Sequence, residues 1–415
     1  MYHPLSLRKN FVWAFVGNVV YHGCQWGSLV VLAKLGRPEM VGIFIYALAI
    51  ATPITILGNL QLNAVLVTDA RNEYFFHNYL ALRIITAVVS VCVIALVALV
   101  ACDEPETIYV TMVVGLNQGL LSVRGIFLSA MQKEERMDMV SVSNIALGSL
   151  SLLVFGSVLY FTGKLVFAVI GTASTRLFVL VIRDYWCARR LVPREEVGFR
   201  RLLESLRSCK LILKLALLSL PLGITTGIIS FNANMPRYFL EHFHDKATLG
   251  YYGAMASLLA AGSMVIAALG QSTSPRLAKY FAYNKSAFKI LLVKLVCIGF
   301  GLGALGLLVA VFFGRYILTV FFTSEYAVYY REFNWIMLAG AITFSSAFLG
   351  YGITAARYFK INIPVFGFVG ITTAVCCWAL IPRYGIVGAA WSVAIASAVA
   401  LILSFLVINY ALWKG

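Results

Sequence analysis

The chain has 415 residues, of which 61% are hydrophobic and only 12% charged, and its formal net charge is +16. Soluble domains carry about a quarter charged residues, so a soluble fold is excluded. Apolar segments of about twenty residues recur along the whole length and make this an all-α integral membrane protein. Nucleic acid is not the expected partner of the excess charge. The basic residues sit in loops between apolar segments, where topology, anionic lipid or an anionic substrate accounts for them.

The N-terminus, MYHPLSLRKN, runs directly into a long apolar span, so no cleavable signal peptide is expected. Twelve spans are predicted, at 11–35, 40–67, 79–101, 109–132, 140–161, 165–182, 211–235, 247–273, 288–313, 333–356, 361–381 and 386–411. Each must be helical, because lipid offers no partner to an open backbone group. The connecting loops then alternate between two sides. Of the 33 Lys and Arg, 20 fall on the side of the N-terminus and 8 on the other. The positive-inside rule therefore puts both termini in the cytoplasm. The eight cysteines show no C-x-x-C spacing and read as small core residues, with neither disulfides nor a metal expected.

Polar residues inside the spans fall into stripes. The first span carries Asn18, His22 and Gln25 at i, i+4 and i+7, on one face. The second carries Thr52, Thr55, Asn59 and Asn63, with Pro53 expected to kink it. The fourth holds Asn117, Gln118 and Arg124. Arg124 lies on the order of 10 Å inside its apolar stretch, and an arginine that deep costs roughly 2.5–3.5 kcal/mol on insertion scales. Asn117, seven residues earlier, shares its face and is expected to help compensate it. Two readings stand: a basic, polar cavity between helices, or an arginine that snorkels or pairs with a backbone carbonyl. Arg176 in the sixth span, with Thr172 and Thr175 on its face, has the same two readings. Arg83, Lys214 and Lys294 lie within about two turns of cytoplasmic ends and are expected to snorkel. The seventh span carries Thr225 and Asn232, then Asn234, Pro236 and Arg237, and the eighth ends with Gln271. None of the 17 acidic residues is expected in mid-span. Any one polar residue reads as an interhelical hydrogen bond worth about 0.6 kcal/mol. Stripes on spans 1, 2, 4 and 7 together predict a water-filled cleft.

The segment 188–210, ARRLVPREEVGFRRLLESLRSCK, puts Phe199, Leu202, Leu203 and Leu206 on one helical face and Arg200, Arg201 and Arg207 elsewhere. It is predicted to be an amphipathic helix on the anionic inner surface, joining a six-helix lobe at 1–187 to another at 211–415. The halves repeat weakly. Gly42 opening the second span matches Gly250 opening the eighth, and Gly163 before the sixth matches Gly385 before the twelfth. Six spans return the chain to the same side, so the repeats are parallel.

The stretches LRKNFVWAFVGN, LAKLGRPEMVGIFIYALAI, LSLPLGITTGIISFNANMPRYFLEHF, DKATLGYYGAMASL, SPRLAKYF and IPRYGIVGAAWSVAIASA resemble the Wzx-type, O-antigen polysaccharide flippases of the multidrug/oligosaccharidyl-lipid/polysaccharide exporter superfamily. The resemblance covers the whole chain and is one of pattern. It implies two six-helix bundles about a basic central cavity in the bacterial inner membrane. It also implies movement of an undecaprenyl-pyrophosphate-linked oligosaccharide from the inner to the outer leaflet, with a polysaccharide polymerase and a chain-length regulator as partners. Arg124, Arg176 and Arg237 are the positions that match its basic path. Lipid-II-type flippases of the superfamily have two further helices, which counts against that branch.

The leading expectation is a flippase by alternating access. Arginine binds pyrophosphate bidentately, and Asn18, His22, Gln25, Asn59, Asn63, Asn117 and Asn232 suit sugar hydroxyls. A drug or cation antiporter of the same superfamily is the alternative, but cationic substrates call for buried carboxylates. An enzyme is not expected, because no metal-ligand set, triad or nucleotide motif stands out. No cofactor is expected, and proton or sodium coupling is left open.

Overall fold

The computed structural model describes residues 6–69, 73–192, 201, 202, 204, 205, 209–356 and 359–414. Its helices are α1 (Leu7–Leu35), α2 (Pro38–Asn59), α3 (Leu62–Thr68), α4 (Phe76–Ala101), α5 (Pro105–Lys133), α6 (Met137–Thr162) and α7 (Leu165–Val179). A π-turn at Leu180–Asp184 leads into α8 (Tyr185–Leu191). Then come α9 (Cys209–Phe243), α10 (Lys246–Ser257), α11 (Leu259–Tyr283), α12 (Lys285–Phe321), α13 (Ser324–Ala327), α14 (Tyr330–Ala355) and α15 (Phe359–Lys414). Among the described residues there is no strand. Most of the predicted amphipathic linker, including Phe199, Arg200, Leu203, Leu206 and Arg207, lies outside the described residues.

Among the described residues, ten helical runs are long and apolar enough to cross a membrane. One of them, 361–413, carries the two last predicted spans, and Gly385 (φ +52) breaks it between them. Large apolar side chains such as Leu153, Phe161, Phe312, Phe313 and Trp378 point outward, which suits lipid and not water. Gly163 and Gly385, paired by sequence, are the two described glycines with left-handed φ. Gly163 closes α6 with its N–H on the Leu159 carbonyl.

The chain divides into two compact units. Met1–Gly36 with Tyr46–Ser230 forms the first, and Arg37–Ile45 with Phe231–Gly415 the second. In the first, α1 lies along α6 so closely that a Cβ on Gly17 would stand 2.6 Å from that of Ser141. The Ser141 hydroxyl donates to the Trp13 carbonyl at 2.5 Å, and the Met137 N–H donates to Asn10 at 3.2 Å. The core of this unit joins Leu62, Leu66, Tyr79, Leu82, Ile126 and Met131. In the second, small residues again let helices close, as membrane packing requires. A Cβ on Gly303 of α12 would stand 2.2 Å from Ala341 Cα of α14. Its core gathers Phe288, Leu292, Phe344, Phe348, Ile353 and Ile408. At the break in α15, His244 Nε2 lies 2.9 Å from the Ile381 carbonyl and serves it as donor.

Asp245 caps α10, accepting from the Thr248 N–H at 2.7 Å. Hydrogen bonds from Thr248, side chain first and backbone second, hold its carboxyl below the usual carboxylate range. A depressed carboxyl contributes stability that is complete above its unfolded value and is lost as pH falls through the folded one. Asp245→Ala is therefore expected to cost about 1 kcal/mol at neutral pH, with the gap to wild type closing below about pH 4. Melting temperatures measured in detergent across pH 3 to 7 check this (roughly the carboxylate titration range and above it).

Candidate functional site

The most densely connected polar cluster lies in the first unit and centres on Arg124, which is 4% exposed. Its Nε donates to Asp184 Oδ2 at 2.8 Å. Its Nη2 donates to Ser143 Oγ and to Asn144 Oδ1, both at 2.9 Å. The Ser143 hydroxyl in turn donates to Asp184 Oδ1. Three helical segments therefore meet at one guanidinium: α5, α6 and the π-turn after α7.

Two expectations are corrected here. The sixth span is expected to end at 182, two residues short of Asp184, yet Asp184 is fully buried, and it is the only buried carboxylate among the described residues. The helix does not end at 182. The π-turn, closed by the Tyr185 N–H on the Leu180 carbonyl, carries the chain on to Leu191 and turns Asp184 inward. π-turns are frequent at functional sites. Asn117 does not compensate Arg124 either. Seven residues is two turns, about 10.5 Å of rise, too far for a side-chain contact. Asn117 instead donates to the Val169 carbonyl at 3.1 Å and to Thr172 at 3.3 Å, tying α5 to α7.

Arg176 is half-buried on α7, within electrostatic reach of Tyr21 on α1 and of Arg124. Its Nε is buried, and nothing among the described residues accepts from its guanidinium. Arg124 donates from Nε and Nη2 to three partners, whereas the Arg176 guanidinium has no such set among the described residues.

Arg83 is a third correction. It does not snorkel: it is 1% exposed. Nη1 donates to Asn59, and Nη2 donates to Asn63 at 2.9 Å. Lys214 and Lys294 are exposed. The second span is expected to kink at Pro53. Helix α2 continues through Pro53, and the break comes at Leu60 and Gln61.

On α1, Asn18 and His22 are exposed and Gln25 is half-buried, and the His22 ring stands edge-on to Tyr21 at 5.2 Å. Asn232 and Arg237 belong to the second unit. The Asn232 amide donates to the Phe366 carbonyl at 2.8 Å, and Arg237 donates to Asn234 at 2.6 Å. Sequence reasoning missed Ser143, Asn144 and Asp184. The signal for Asp184 was an acidic residue two positions past an apolar run, beside Arg183.

Residues 7–281 match the family described as polysaccharide biosynthesis protein. The chain belongs to that family. A curated relative, the capsular polysaccharide biosynthesis protein CapF of Staphylococcus aureus, is 28% identical over 401 residues, covering 95% of this chain and 97% of the relative. The fold is shared with solved transporters. An inward-facing multidrug resistance MATE family transporter matches with a TM-score of 0.72 at 12% identity, over 97% of this chain and 98% of the other. The lipid II flippase MurJ, in an inward closed conformation, also matches at 0.72, with 13% identity, over 96% of this chain and 87% of the other.

Proposed function

We propose that this member of the polysaccharide biosynthesis family carries a polyprenyl-pyrophosphate-linked oligosaccharide from the inner to the outer leaflet of the bacterial inner membrane. It does so by alternating access of two six-helix lobes, with twelve spans in all and both termini in the cytoplasm. The observation that carries the reading is the family itself. The staphylococcal relative is named for capsular polysaccharide biosynthesis, and MurJ, of the same fold, is a lipid II flippase. The uncommitted guanidinium of Arg176 supplies the chemistry, since a planar fork of N–H donors matches a phosphate bidentately.

The test places the purified protein in liposomes with a short-chain polyprenyl-pyrophosphate oligosaccharide and follows access of an external glycosidase. Arg176→Ala is expected to slow flipping roughly ten- to a hundredfold, the value of a hydrogen bond to a charged group, with an unchanged melting temperature. Flipping at the wild-type rate in Arg176→Ala removes that residue from the path. A wild-type protein that flips no lipid-linked sugar but exports a small cation sinks the reading and favours a MATE-like drug or cation antiporter. One observation speaks for that second reading: Asp184 is a carboxylate buried within the 165–191 run. Its pairing with Arg124 leaves it without the free charge a cation would need.

A further inference from the structure

The span 38–68 is interrupted at Leu60 and Gln61, whose φ values are +49 and +53. Left-handed backbone pushes Cβ toward the next carbonyl and is unfavourable for any residue but glycine, occasionally asparagine or aspartate. Gly58 and Asn59, weak helix formers, lie just before the break, but the left-handed backbone falls on Leu60 and Gln61 instead. Leucine and glutamine are good helix formers, and the proline of this span, Pro53, lies inside intact helix. Tertiary contacts impose the break. Arg83 of α4 holds the two flanks together, with Asn59 on the last residue of α2 and Asn63 on the second of α3. Gly223 of α9 lies against the break itself, where a Cβ would stand 3.0 Å from Leu60 Cα and 3.1 Å from the Leu57 carbonyl. Gly125 of α5 leaves room for the Asn63 amide, 2.8 Å from where its Cβ would be.

Arg83 is itself poorly matched. It is buried, its Nε has no acceptor, and among the described residues no carboxylate pairs with it. The cost of left-handed backbone at Leu60 and Gln61 thus opposes a clamp that is incomplete. An element held between two arrangements in this way is what conformational transitions use.

We propose that Leu60–Gln61 is a hinge within the membrane-spanning run 38–68 and that Arg83 is its latch. With the latch closed on Asn59 and Asn63, α3 is set off from α2. With it released, the run closes into one helix and α3 moves relative to α4. The hinge is independent of what the protein carries.

The test measures spin–spin distances in full-length protein in lipid nanodiscs, with genetically encoded labels at the exposed positions 68 and 100. Wild type is expected to show two distances. The double variant L60G/Q61G removes the left-handed penalty and should collapse them to the broken one. Arg83→Met opens the latch and should move the ratio the other way by about tenfold, the worth of one relieved left-handed residue. A single distance, the same in wild type and in L60G/Q61G, overturns the hinge whatever becomes of Arg83→Met. Two distances in the same ratio in wild type, L60G/Q61G and Arg83→Met overturn the latch. Two distances that respond in opposite directions establish both.

Discussion

Arg124→Met is expected to remove about 3–5 kcal/mol of stability, because it strands the fully buried Asp184 carboxylate without its counter-charge. Asp184→Leu should cost a similar amount for the converse reason. The double variant should recover most of the loss, since two apolar side chains in place of a buried pair are often neutral. Thermal unfolding in detergent of the wild type, the two single variants and the double variant forms a complete cycle. Additive losses in that cycle would show that Arg124 and Asp184 act separately. The result also governs how transport data are read. A loss of flipping in Arg124→Met would report a damaged scaffold as readily as a lost substrate contact. Arg176, with no partner to strand, is the cleaner probe.

Gly42→Ala should be as damaging as any single methyl group in the chain. Helices α2 and α10 cross at Gly42 and Gly250, both in the second unit. A Cβ on Gly42 would stand 1.8 Å from the Lys246 carbonyl oxygen, and one on Gly250 would stand 2.2 Å from that of Pro38. The obstacles are backbone atoms, which cannot swing aside as a flexible side chain can. The helices must part, and the cost is expected at about 3 kcal/mol or more, the upper end for overpacking. Gly301 of α12 is the control. Nothing lies within 4 Å of its would-be Cβ, so Gly301→Ala should be neutral or gain about 0.5–1 kcal/mol from helix preference. The yield of monodisperse protein and its melting temperature measure both. Wild-type melting in Gly42→Ala would refute the close crossing.

The helices and several of their glycines were legible in the sequence, because lipid forces helical backbone and hydropathy marks where it lies. Gly42 and Gly250 were paired as repeat equivalents, and they meet at one crossing. Gly163 and Gly385 were paired as span openers, and both take left-handed φ. The polar chemistry was only half legible. Asn59, Asn63 and Arg83 were each noted, but their contact joins residues 20 and 24 apart in sequence, and no periodicity reports such a distance. Face arithmetic within one helix matched Arg124 to Asn117, whereas a buried arginine finds its partners across helices, at Ser143, Asn144 and Asp184. Asp184 is missed because Arg183 and Asp184 interrupt the apolar run and so mark a false end to the span, and a regular helical period does not foresee a π-turn.

That π-turn bears on how relatives should be aligned with this chain. A π-turn holds one residue more than an α-turn, so a homologue with continuous α-helix here would be one residue shorter between 180 and 184. A single-position gap at that point would then be a structural difference and not noise. Every residue beyond it is turned by about 100° relative to the uninterrupted helix, the angle one residue subtends at 3.6 per turn. A relative lacking the extra residue would point the counterpart of Asp184 away from α5. Its counterpart of Arg124 would then lose the ion pair and keep only neutral partners on α6, where Ser143 and Asn144 stand in this chain.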